Sequence, residues 1–88
     1  MEYDFCIILH EKLKDKIRGR VFTKVIDDVL LVRIDMDDLW FELTYQDFVN
    51  SVMLGYLTSD KVVDEVCKKY RKFLWNKMEN YYFKKEEL

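Results

Sequence analysis

The sequence predicts an α+β domain of two layers: an N-terminal helix, a three-stranded antiparallel β-meander, a short helix and a long C-terminal helix, in that order. Three observations carry this. Apolar residues recur three or four positions apart near the N-terminus and again from Val62 to Tyr81, the spacing that gathers side chains on one face of an α-helix. Between those stretches the chain is rich in β-branched residues and is broken by Asp27-Asp28 and Asp37-Asp38, pairs that suit tight turns. The whole chain is 88 residues and half hydrophobic, enough for one core and too short for a second domain, so residues 1–88 read as a single unit.

In the first element Asp4 is placed to cap a helix running to the neighbourhood of Arg18, with Phe5, Ile8, Leu9, Leu13 and Ile17 on its apolar side and Gly19 ending it. Phe5 to Leu9 alone also fits a buried strand; the helical spacing continued to Ile17 favours the helix. Arg20 to Ile26, Val29 to Met36 and Leu39 to Thr44 read as strands. In the third, Leu39, Phe41 and Leu43 alternate with Trp40, Glu42 and Thr44, which gives one buried face and turns Trp40 to the other. Thr44 is placed to cap a short helix, with Asp47 reciprocating in a capping box, Phe48, Val52 and Met53 inward, and Gly55 as its stop.

The long helix is expected from Ser59 to Phe83, capped by Thr58 or Ser59, with Val62, Val63, Val66, Cys67, Tyr70, Phe73, Leu74 and Tyr81 in its stripe. At about 1.5 Å per residue it reaches roughly 35 Å, against a radius of gyration of about 12 Å for a compact chain of this size. Its C-terminal end therefore overhangs the core, which accounts for Lys77 in the middle of the stripe. Trp75 falls opposite Val66 and Tyr70, beside Lys68, Arg71 and Lys72.

Composition excludes several classes. No apolar run approaches the roughly 20 residues of a membrane span, and Phe5 to Leu9 is too short for the apolar part of an export signal, so a cytoplasmic protein is expected. Cys6 and Cys67 are then reduced, structural thiols. The turn acids lie at opposite ends of one strand and lack calcium-loop spacing, which argues for turn chemistry over a metal site. His10, the one histidine, has no Ser or Cys partner at a recognisable spacing. These residues call for no cofactor or metal and form no catalytic signature, and the chain reads as a binding protein rather than an enzyme.

The charge layout points to a macromolecular partner. Between Asp27 and Asp47 stand seven acids, Asp27, Asp28, Asp35, Asp37, Asp38, Glu42 and Asp47, against the single base Arg33, within an overall net charge of −2. Two candidate protein-binding surfaces follow. One is the long helix, with Trp75, Arg71, Lys72 and Tyr82, a surface that also suits a second copy of the chain. The other is the acidic sheet, with Trp40, Asp35, Asp37 and Asp38. The basic run Lys68-Lys69-Tyr70-Arg71-Lys72 with Trp75 supports the alternative of nucleic-acid contact, since cations track phosphates and an aromatic stacks on a base.

The segments Lys16-Ile17-Arg18-Gly19-Arg20-Val21-Phe22-Thr23-Lys24-Val25-Ile26-Asp27-Asp28-Val29-Leu30 and Tyr70-Arg71-Lys72-Phe73-Leu74 resemble short uncharacterised proteins encoded by phages and prophages of low-GC Gram-positive bacteria. The resemblance carries no catalytic motif and transfers no functional residue. It implies a context: a phage accessory protein, acting in the host cytoplasm by binding a host or phage macromolecule. Some such proteins resemble anti-CRISPR inhibitors, which makes a CRISPR effector or other host defence nuclease the expected partner class.

Overall fold

The structure, a computed structural model, describes the backbone of residues 2–86 and the side chains of residues 3–78. Its elements follow the predicted order: α1 (Glu2–Lys16), β1 (Arg20–Ile26), β2 (Val29–Met36), β3 (Leu39–Tyr45), α2 (Phe48–Met53) and α3 (Ser59–Glu86). The strands form one antiparallel sheet in the order β1-β2-β3, with Ile26 opposite Val29 and Met36 opposite Leu39 at the two turns.

Two-residue turns force unusual backbone angles, and aspartate tolerates them. Asp27 and Asp28 have φ of 49° and 61°, and Asp37 has φ of 50°, in the left-handed region where a short polar side chain is best accommodated. Gly19, between α1 and β1, has φ of 123°, and a Cβ there would stand 2.9 Å from the carbonyl oxygen of Asp35. Glycine thus lets the chain turn tightly against the end of β2.

Alternation along the strands sends Val21, Leu30, Val32 and Ile34 to the inner face, where the three β2 residues are fully buried. The helices close that face. α1 contributes Leu9 and Leu13, α3 contributes Val62, Val63, Val66 and Tyr70, and Phe48 of α2 fills the end, edge-on to Phe5 at 5.1 Å between ring centroids. Phe41, Tyr70 and Phe73 form a second aromatic group. Lys12 of α1 reaches the start of α3, where its ammonium donates to Ser59 Oγ at 3.0 Å and Asp60 Oδ1 at 2.7 Å. That contact holds the Asp60 carboxyl below the usual carboxylate range.

Several local expectations are corrected. α1 begins at Glu2, so Asp4 sits inside its first turn rather than at the cap. Ile8 is exposed, because the buried seam runs through Leu9 and Leu13 and Ile8 is rotated about 100° from it. Met53 is likewise exposed, its inward place taken by Val49. Thr44 belongs to β3 and caps nothing: α2 starts after Asp47, whose φ of 53° and ψ of 48° are left-handed and whose side chain makes no cap bond. The helix is capped from afar instead. Phe48 N–H donates to the Asp28 carbonyl at 2.9 Å and Val49 N–H to Asp28 Oδ1 at 2.9 Å, so the β1–β2 turn supplies the acceptors.

The stop of α2 and the start of α3 follow expectation, while α3 runs to Glu86, past the expected Phe83, and α1 ends at Lys16, short of Arg18. At Gly55, with φ of 75°, Tyr56 N–H donates to Ser51 O and Gly55 N–H to Val52 O, the paired bonds of a Schellman stop. Thr58 Oγ1 accepts from Lys61 N–H at 3.2 Å and caps α3. The molecule extends 52 × 21 × 20 Å, with a radius of gyration of 15.0 Å, because α3 outruns its cover. Burial along it fades from Tyr70 to half-buried Phe73 and Leu74, and Trp75 to Met78 are exposed. Lys77 stands in the stripe with its ammonium 5.6 Å from the centre of the Phe73 ring. Tyr81, expected further along the stripe, lies outside the described side chains.

The remote cap is separable from turn strain. Asp27→Ala and Asp28→Ala both place alanine at positive φ, but only the second removes an acceptor from α2. Urea unfolding should show Asp28→Ala less stable than Asp27→Ala by about 1 kcal/mol, the usual worth of a cap. Equal losses would mean that the Asp28 carboxylate does not hold the helix.

Candidate functional site

The helices lie on one side of the sheet, so its outer face is left to solvent. Period-two alternation puts Arg20, Phe22, Lys24 and Ile26 of β1, Val29, Leu31, Arg33 and Asp35 of β2, and Trp40, Glu42 and Thr44 of β3 on that face. Trp40 is 56% exposed, Ile26 49% and Phe22 48%. Arg33 sits centrally, opposite Phe22 on one side and Glu42 on the other, while Asp35 lies opposite Arg20 and Trp40.

Arg33 ties these groups together. Its Nε donates to Asp35 Oδ1 at 2.7 Å, and its guanidinium carbon lies 5.1 Å from the Trp40 ring centre. A guanidinium over a partly exposed indole contributes about 0.5–1 kcal/mol, and a half-exposed ion pair about 0.2–1 kcal/mol. The pair therefore adds little to stability. Its effect is to set a cation against one side of the tryptophan ring.

A hollow lies on each side of the Arg33–Asp35 ridge. One, of about 530 Å³, is lined by Arg20, Arg33, Asp35, Asp37, Asp38 and Trp40 at the β2–β3 turn. The other, of about 650 Å³, runs between α1 and β1 past Tyr3, Ile7, His10 and Phe22. Among the described residues no group of three or more His, Cys, Asp or Glu comes together to hold a metal ion. The acids of the two turns stand at opposite ends of β2. Cys6 and Cys67 are half-buried and not joined by a disulfide.

Of the residues singled out from sequence, Trp40, Asp35, Asp37 and Asp38 meet around one hollow. Trp75, Arg71 and Lys72 are exposed on α3, whose apolar side covers the inner face of the sheet, so they form a separate surface on the far side of the molecule. Tyr82 lies outside the described side chains. Around the basic run, Lys69 lies 3.7 Å from Glu65, and Asp64 and Glu65 border the same shallow surface as Lys68 and Lys72. Sequence reasoning missed Arg33, Arg20 and Phe22. The alternation that found Trp40 runs through Arg20 to Ile26 as well and was the available signal for Phe22.

No known protein family, curated protein or solved structure matches this chain.

Two substitutions test the layout. Arg33→Ala should lower stability by no more than about 1 kcal/mol, as changes at such exposed pairs do, while shifting the fluorescence of Trp40, which loses the cation over its ring. Trp75→Ala should also stay within about 1 kcal/mol of the parent, whereas Tyr70→Ala, at 6% exposure, should cost about 3–5 kcal/mol through the cavity it leaves. Severe destabilisation by Trp75→Ala would place that ring in the core.

Proposed function

We propose that this chain is a protein-binding module, not an enzyme, that docks through the outer face of its sheet. The observation that carries the reading is Trp40, more than half exposed on a face that no described element covers, with Arg33 against its ring and Asp35 bonded to Arg33. Tryptophan and arginine dominate interface hot spots, and an aromatic already held in place loses little freedom on docking. Asp37, Asp38 and Glu42 rim the aromatic, so the partner surface it fits is basic. The resemblance to short phage proteins supports a host defence nuclease, which must carry phosphate-binding surfaces, as the partner class. The module then acts as an inhibitor that sets carboxylates where the nuclease expects phosphates.

The experiment is affinity capture from host lysate by the parent, Trp40→Ala and Trp75→Ala, with mass spectrometry, followed by titration of the captured protein. Trp40→Ala should weaken binding by about 2 kcal/mol or more, roughly thirtyfold, and Trp75→Ala should leave it unchanged. Full affinity in Trp40→Ala would overturn the proposed face. Binding of DNA or RNA that weakens steeply with salt would instead favour the basic side of α3.

A further inference from the structure

The register leaves backbone groups open at both edges of the sheet, but on β3 they belong to Trp40, Glu42 and Thr44, where a two-fold pairing would set Glu42 opposite itself. β1 is free of that conflict. The turn at Asp27-Asp28 closes on the bonded pair Ile26–Val29, so Arg20, Phe22, Lys24 and Ile26 aim their N–H and C=O groups at β2. Val21, Thr23 and Val25 aim theirs the other way. Among the described residues no hydrogen bond reaches those groups; the bond from Thr23 Oγ1 to the Cys6 carbonyl at 3.1 Å uses the side chain. The edge opens onto the groove between α1 and β1, where α1 exposes Tyr3 at 76% and Ile7 at 44%, four residues apart on one side of the helix. Proteins commonly blunt such an edge with lysine, proline, a bulge or a covering segment, and of these β1 carries only the charges of Arg20 and Lys24, which stand on its outer face. This chain has no proline, and β1 pairs with β2 without a bulge.

We infer that β1 is the seam of a homodimer, pairing antiparallel with β1 of a second copy across a two-fold axis at Thr23. The open groups are spaced symmetrically about that residue, so Thr23 meets its own copy, Val21 meets Val25 of the copy, and every open N–H and C=O is satisfied. Charge selects this register over its neighbours. An axis at Phe22 would set Lys24 opposite Arg20, and one at Lys24 would set that lysine opposite itself; like charges directly opposed destabilise a sheet. With the axis at Thr23, Lys24 lies opposite Phe22 and Arg20 opposite Ile26. The two three-stranded sheets then join into one, and the Tyr3–Ile7 sides of the two α1 helices are brought together over the seam. A peptide from another protein could use the same edge, but nothing in it demands one, whereas the second copy supplies both the strand and the apolar cover. The surface around Trp40 lies at the opposite edge, on β3, and stays free in the dimer.

Sedimentation equilibrium across a wide concentration range, joined to amide hydrogen exchange by NMR, tests this. The parent should dimerise, and the amides of Val21 and Thr23 should become protected as dimer forms. Val25→Pro removes an edge N–H, at a position where proline is tolerated, and alters a half-buried side chain, and Ile7→Glu charges the exposed stripe of α1. Each should weaken dimerisation at least about tenfold, the scale of one lost interface group, with the circular dichroism of the folded monomer retained. A monomer at every concentration, or a dimer in which the Val21 and Thr23 amides exchange freely, would overturn the inference. So would undiminished association of a folded Val25→Pro and Ile7→Glu. If Val25→Pro fails to fold, Ile7→Glu and the exchange pattern decide.

Discussion

The rest of the structure depends on one constraint: the helices of this short chain cover only one face of a three-stranded sheet. β2 shows it most sharply. Leu30, Val32 and Ile34 are shut away under α1 and α3, while Leu31, Arg33 and Asp35, one position out of step, face water. Among the described residues none forms a layer on the second side. The outer face must therefore remain compatible with solvent while still bearing Phe22, Ile26 and Trp40. Arg33 reconciles these demands, since it lies against the indole and holds a carboxylate at the same time. The arrangement that makes an uncovered sheet tolerable also sets a guanidinium against an exposed aromatic on a face of mixed charged and apolar residues.

Much of the acidity that stands out in the sequence answers to backbone geometry. Asp27, Asp28, Asp37 and Asp47 all have positive φ, where aspartate is among the few residues accommodated without glycine. Asp28 has a second task, accepting at the start of α2, and Asp35 is engaged by Arg33. A count of charges along the chain therefore overstates what is free to meet a partner. The acids around Trp40, namely Asp37, Asp38 and Glu42, are a narrower rim than the sequence implies, and Asp37 among them also serves the turn.

The fold was legible where its signals were local. The bounds of β1 and β2 follow from the Asp-Asp pairs and the alternation between them, and the long period-3.6 stripe located α3 and turned Trp75 outward. The failures share a cause. Thr44 with Asp47 has the spacing of a capping box, yet the acceptors come from Asp28, 21 residues before Val49, and no local window contains that contact. The candidate site divides the same way. Trp40 and its acids could be read from alternation within one strand and its turn, whereas the role of Arg33 required the cross-strand register of Asp35 and Trp40.

Cation–aromatic pairs occur at both limits of the core, and they work differently. Lys77 lies 5.6 Å from the centre of the Phe73 ring where α3 leaves its cover, so a charge terminates a stripe that would otherwise continue apolar into water. Arg33 lies against Trp40 within the sheet, anchored by Asp35 and by strands on both sides. This difference is the physical ground for proposing Trp40 over Trp75 as the docking aromatic. Trp75 stands on the overhanging part of α3 among exposed neighbours, and docking there would have to order its side chain at entropic cost. Trp40 already rests against the Arg33 guanidinium, a contact that offsets part of that cost before any partner arrives.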